Sequence, residues 1–163
     1  MKIRSAGPED AEFLHEMFLG AFFWRGDAPA RPDADAMAAM APYVTDWGRP
    51  GDAAMVAISD SGERLGAAWY RLFTASTPGY GFVAPEVPEL GIAVVATHQG
   101  YGIGRGLMES LIELAAGEGR PGISLSVEDG NSRAAHLYES VGFRTVGRNG
   151  NARTMLLELK AGA

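Results

Sequence analysis

Two apolar runs, AAMVAIS (Ala53–Ser59) and LGAAWYRLF (Leu65–Phe73), flank the turn Asp60-Ser61-Gly62-Glu63 and predict a β-hairpin. Helical spacing governs other parts of the chain. Phe13, Met17 and Phe18 form a stripe behind Pro8-Glu9-Asp10, a proline-and-acid start that opens a helix. A second stripe of Met37, Met40 and Ala41 runs towards Val44, with Asp33 or Asp35 as its cap. Ile103, Leu107, Leu111 and Leu114 mark a third helix over Gly104–Ala116. A fourth, Asn131–Ser140, turns Ala134, Leu137 and Val141 inward. Lys2–Ser5, Glu89–Ala96, Ile123–Val127, Phe143–Gly147 and Arg153–Leu159 read as strands, the last two joined through Asn149-Gly150. Glu89–Ala96 is apolar on both faces, which places it inside the sheet. The order is helices, an antiparallel meander, then alternating strands and helices. It predicts an α/β fold around a mixed sheet.

Composition narrows the function more than the fold. A chain of 163 residues, 47% hydrophobic and 21% charged, fits one globular domain spanning residues 1–163. WRGDAPARPDADA is the nearest approach to a boundary and reads as a loop between the first two helices. A net charge of −6 supplies no basic excess for nucleic acid or an anionic membrane. With no cysteine there are no disulfides, thiolate nucleophiles or zinc–thiolate sites. The start carries charge and proline too early for a signal peptide, and no apolar stretch reaches membrane-spanning length, so a cytoplasmic location is expected.

The stretch THQGYGIGRG (Thr97–Gly106) then carries glycine at every second position from Gly100 to Gly106. A P-loop needs Gly-Lys-Ser/Thr, and no lysine is present; a dinucleotide fingerprint needs a sixth-position glycine, where Arg105 or Leu107 stands. The pattern that fits is Q-x-x-G-x-G, formed by Gln99, Gly102 and Gly104. A strand that turns at once into a helix aims several N–H groups at one spot, and glycine lets an anion approach closely. The competing reading is a tight turn with no ligand.

ELGIAVVATHQGYGIGRGLMESLIELA (Glu89–Ala115) and VEDGNSRAAHLYESVGFRTVGR (Val127–Arg148) together resemble two successive motifs of the GNAT superfamily of N-acetyltransferases. The second is matched by Asn131, Ala134, Leu137, Tyr138, Gly142 and Phe143. The resemblance implies the GNAT fold, a mostly antiparallel sheet with a splayed parallel strand pair (Ile92–Val95 and Leu125–Val127) and about four flanking helices. It also implies acetyl-CoA as co-substrate, with no metal. The backbone of Gln99, Gly100, Tyr101, Gly102, Ile103 and Gly104, with Arg105, would hold the pyrophosphate. Ala93, Val94 and Val95 would pair with the pantetheine arm, Asn131 would contact it, and Tyr138 would sit near the thioester sulfur. Homodimers are common in the family.

Two residues carry the implied chemistry. Tyr138, an ordinary phenol, is the candidate general acid for the departing thiolate, the alternative being a core aromatic. Asn131 and Tyr138 lie seven apart and share one helical face, although Asn131 can equally serve as a helix cap. Glu89 is the candidate base for the amine, against the alternative of an exposed strand-end carboxylate; Glu86, behind Pro88, is the weaker choice. His15 lacks the second histidine of a zinc motif, His98 reads as a solvated loop residue, and His136 lies opposite Tyr138. The acceptor would lie against Ala21–Met37 and Arg148–Arg153. There at least one of Phe22, Phe23 and Trp24 lines the cleft or a partner surface, the alternative being a simple core-plus-rim arrangement. Asp27, Asp33 and Asp35 would favour a cationic amine, the alternative being a solvated acidic loop. The expected activity is acetyl transfer to a small amine, a peptide N-terminus or a lysine. The alternative is a non-catalytic acyl-CoA sensor.

Overall fold

The structure is a computed structural model describing residues 1–27 and 29–159; Ala28 of the predicted inter-helix loop and residues 160–163 lie outside them. Its elements are β1 (Lys2–Ser5), α1 (Ala11–Phe22), α2 (Ala34–Val44), β2 (Ala53–Ile58), β3 (Arg64–Arg71), β4 (Glu89–Val94), α3 (Ile103–Gly117), β5 (Gly122–Glu128), α4 (Ser132–Ser140), β6 (Arg144–Asn149) and β7 (Ala152–Glu158). The strands form one seven-stranded sheet in the order β1-β2-β3-β4-β5-β7-β6. All neighbours are antiparallel except β4 and β5, which run parallel.

Alternation along the strands divides the apolar residues between two cores. Ala68, Tyr70, Leu90, Leu125 and Met155 face α3 and α4, where Leu107, Leu111 and Tyr138 meet them. Ala54, Val56, Ala67 and Trp69 face the opposite way, against Leu14, Met17, Phe18 and Met40 of α1 and α2. Phe18 stands edge-on to Trp69 at 4.5 Å, which fixes α1 over the middle of the sheet.

Several boundaries move. Pro8–Asp10 forms a 3-10 turn and α1 begins at Ala11. Asp10 does not open a regular helix because its carboxylate is held by Arg4, Arg64 and the Gly7 N–H. The strand predicted to reach Ala96 stops at Val94 and passes into a 3-10 turn, Ala96–His98. The inward face of α4 is centred on Ala135 and Tyr138, with Ala134, Leu137 and Val141 flanking it half-buried. Asp33, not Asp35, caps α2, accepting from the Ala36 N–H at 2.8 Å.

The parallel pair is joined over one residue only, Glu89 opposite Ser124, where the Ser124 N–H donates to the Pro88 carbonyl at 2.9 Å. Beyond it β5 stays with β7 while β4 stays with β3, so the two strands diverge. The Val95 N–H donates to Leu65 on β3, so by alternation the polar backbone groups of Ile92 and Val94 point into the gap, while those of Ala93 and Val95, expected to pair with the pantetheine arm, are turned to β3. This is the splay implied by the resemblance.

Candidate active site

A cleft of about 1330 Å³ follows that gap and continues over α1 and α2. Ala93, Val94, Val95, Gln99, Gly100, Gly102, Ile103, Gly104, Arg105, Asn131, Tyr138 and Glu89 all line it. Tyr101 is the exception among the predicted residues. The residue is 78% exposed and stands outside the cleft.

The glycines of the loop have separable causes. Gly100 (φ +87) and Gly102 (φ +82) adopt left-handed conformations that side chains disfavour. Gly104 and Gly106 instead allow close packing, since a Cβ there would lie 3.3 Å from Leu137 and 3.0 Å from Ile3. Turning and packing thus account for the composition, and the case for an anion rests on the amides. Among the described residues none accepts from the N–H groups of Gln99 to Arg105; the first such bond, Gly106 N–H to the Gly102 carbonyl, comes one turn into the helix. A Cβ on Gly102 would meet nothing within 4 Å, so the space above these amides is open. Free donors at a helix start, with that opening, suit a phosphate or pyrophosphate.

Side chains adjust this cradle in ways the sequence did not reveal. Gln99 Nε2 donates to the Val94 carbonyl at 3.1 Å, and its Oε1 accepts from Arg133 Nη1 at 3.1 Å. The motif glutamine therefore ties the loop to the strand end and places a guanidinium beside it. Arg105, expected to pair directly with an anion, already donates to Ser140 at 2.8 Å and Glu109 at 3.3 Å. Asn131 occupies the N-cap position of α4, yet its side chain makes no capping bond. Its amide lines the cleft.

Tyr138 is buried by both its core neighbours and the cleft wall, and burial pushes its hydroxyl up to about 12. It stays protonated at neutral pH. Glu89 is buried, not an exposed strand end. Its Oε2 accepts from the Tyr43 hydroxyl at 2.5 Å and its Oε1 from the Gly81 N–H at 2.9 Å. Desolvation outweighs these two donors and raises its pKa to about 7. Tyr43 accepts in turn from the Tyr80 N–H at 2.7 Å, which fixes its hydroxyl direction. Tyr43, three residues beyond Met40 on the same stripe of α2, was findable by helical spacing; its partner was not.

The far end of the cleft is aromatic. Phe22, Phe23 and Trp24 all line it, and Trp24 Nε1 donates to Glu128 Oε2 at 3.0 Å. Asp27, Asp33 and Asp35 do not line it, so the expectation that they favour a cationic acceptor is not met: Asp33 is used as the α2 cap, and the carboxylates in the wall are Glu89 and Glu128. His98 lines the glycine-loop end, while His15 and His136 are exposed away from it. Among the described residues no group of three His, Asp or Glu converges as metal ligands, and no helix is long and apolar enough to cross a membrane.

Comparison with known proteins decides the family. The model of the acetyltransferase (GNAT) family matches residues 12–143. The chain belongs to the GNAT family. Within it, the chain is 35% identical over 95 residues to a mycothiol acetyltransferase of Gordonia bronchialis, a stretch covering 50% of this chain. It spans only 31% of that relative's length. The ribosomal-protein-alanine N-acetyltransferase of Brucella melitensis superposes with a TM-score of 0.71 at 25% identity, over 98% of this chain and 100% of that one. The yncA protein of Salmonella typhimurium, solved with its cofactor acetyl-CoA, gives a TM-score of 0.73 at 24% identity, over 100% of this chain and 96% of that one. The GNAT fold thus extends over all the described elements.

Proposed function

We propose that this GNAT protein is an N-acetyltransferase that takes the acetyl group of acetyl-CoA to a primary amine. The free amides of Gln99 to Arg105, with Arg133 alongside, would hold the pyrophosphate, and the open edge of β4 at Ile92 and Val94 would pair with the pantetheine amides. Bound there, acetyl-CoA supplies an acetyl group activated as a thioester. Glu89 takes the proton of the incoming ammonium, and with a pKa about 7 it does so at neutral pH without a metal or a histidine. An N–H of the open β4 edge faces the carbonyl oxygen as negative charge grows there. Tyr138 keeps a proton at its hydroxyl for the departing sulfur.

The observation that carries this reading is the joint lining of one cleft by a buried, tuned carboxylate and an unpaired run of helix-start amides. A protein that merely bound an acyl-CoA would have no need to hold Glu89 dehydrated between Tyr43 and Gly81. The test is thiol release from acetyl-CoA across an amine panel, with product mass. An increase of 42 Da on an amine supports the proposal; tight CoA binding with no thiol release from any amine overturns it.

A further inference from the structure

The acceptor end of the cleft has a composition that selects a substrate class, and the inference rests on the acetyltransferase reading above. Its walls are rings and thioethers: Phe18, Phe22, Phe23, Trp24, Tyr43 and Trp69, with Met17 and Met40 between them. Phe22 and Phe23 stand edge to face at 5.0 Å, and Phe18 stands edge to face with Trp69. Phe18, Trp69, Met17 and Met40 are buried and back the wall, which leaves the half-buried Phe22, Phe23, Trp24 and Tyr43 to meet another ring.

Trp24 is held still. Its indole N–H is fixed by Glu128, and Arg25 covers its ring at 4.2 Å while also donating to Glu128 at 3.0 Å. The tip of the indole reaches towards Gly130, where a Cβ would lie 3.9 Å from it. The ring therefore spans from the end of α1 to the loop after β5, across the mouth of the strand gap. A wall fixed by three contacts needs little ordering when a flat substrate arrives.

The carboxylates point the same way. Glu89 is held by Tyr43 and Gly81 on its two oxygens, and Glu128, partly exposed, receives both Trp24 and Arg25 on Oε2, so its charge is already met by a guanidinium. A polyamine, or a lysine tail on a charged peptide, would bring a second cation into a ring-lined space with no carboxylate reserved for it, and burying it there is costly. One amine near Glu89, and an uncharged body beyond it, is what the cleft accommodates.

We infer that the acceptor is a primary amine carried on a flat apolar body, an arylalkylamine, seated against Trp24 and the Phe22–Phe23 pair. The substrate series is phenethylamine and tryptamine against spermidine, an alanine-terminated peptide and ethylamine. The arylalkylamines show kcat/KM at least tenfold above each of the others. Calorimetry on the free protein gives them a correspondingly lower Kd, a reading independent of turnover. Trp24→Ala removes most of the preference over ethylamine and leaves the KM for acetyl-CoA unchanged.

Faster turnover of spermidine or the peptide overturns the inference and leaves the acetyltransferase reading intact. Absence of turnover with every amine overturns that reading, and calorimetry then still decides whether the aromatic slot binds rings. Equal Kd values for phenethylamine and ethylamine overturn it.

Discussion

Arg71 and Glu89 are direct neighbours on β3 and β4, both buried, and they form no ion pair. Arg71 is turned away. Its Nε and Nη2 take both oxygens of Asp52 at 2.9 and 2.8 Å, and its Nη1 donates to the carbonyls of Pro42 and Thr45 at the end of α2. Those contacts dock the helix that carries Tyr43, and they keep a cation off the carboxylate whose elevated pKa the proposed chemistry uses.

Asp52→Asn should release Arg71 towards Glu89. An opposite charge at close range lowers a carboxylate pKa by roughly 1–3 units, so the acid limb of kcat/KM should move to lower pH. The double variant Asp52→Asn with Arg71→Met carries neither charge and should return the limb to its original position. An unmoved limb in the folded single variant refutes the arrangement.

Tyr43→Phe acts in the opposite direction. It removes a 2.5 Å donor that favours ionised Glu89, so the acid limb should rise by about one unit. The measurement is the same pH–rate profile. A fall in the limb would show that Tyr43 does not stabilise the charged form.

Glu89→Gln links the site to stability. The folded pKa of about 7 exceeds the ordinary 4.5, so folded wild type retains the proton longer than the unfolded chain. Stability is fully present below 4.5, declines up to 7 and is flat above, an overall loss of up to roughly 3 kcal/mol. The uncharged variant should therefore melt near the wild-type temperature at pH 4.5 and above it at pH 8, while losing turnover. Equal melting temperatures at pH 8 would show that Glu89 is not desolvated as described.

Gly102→Asp should reduce CoA affinity by more than tenfold. No protein atom lies within 4 Å of the new Cβ, so the loss reports a like charge over the amides together with strain at φ +82. Gly102→Ala imposes the strain alone, costs roughly 1–2 kcal/mol of stability and separates the two. Calorimetric titration with CoA reads both variants.

Tyr138→Phe should lower kcat by roughly a hundredfold or more with acetyl-CoA affinity preserved. Burial alone raises the pKa of this hydroxyl, with no hydrogen-bond contribution, so its removal should leave the melting temperature nearly unchanged. Full activity in the variant would remove Tyr138 as the acid.

What was legible in the sequence was what lies close together in it. The glycine loop and α3 are contiguous, as are Asn131 and Tyr138 on one helix, so spacing alone grouped them. Contacts across long separations were not legible. Tyr43 and Glu89 are 46 residues apart, and Trp24 and Glu128 are 104 apart. Periodicity states which face a residue occupies, never which residue meets it. Asp33 shows both sides: its place before the α2 stripe predicted the cap it forms, whereas acidic loop composition also suggested an acceptor role that its carboxylate does not take.

The single bridge between Glu89 and Ser124 divides the sheet into two leaves, β1–β4 and β5–β7, bound at one stitch. Both leaves pack on α3 through one shared core, so small angular motions about that helix change the width of the gap without unzipping either ladder. A molecule bonded to both leaves would act as the missing seam, so occupancy and rigidity should rise together. Glu89, the proposed base, lies at the pivot, where such breathing displaces it least.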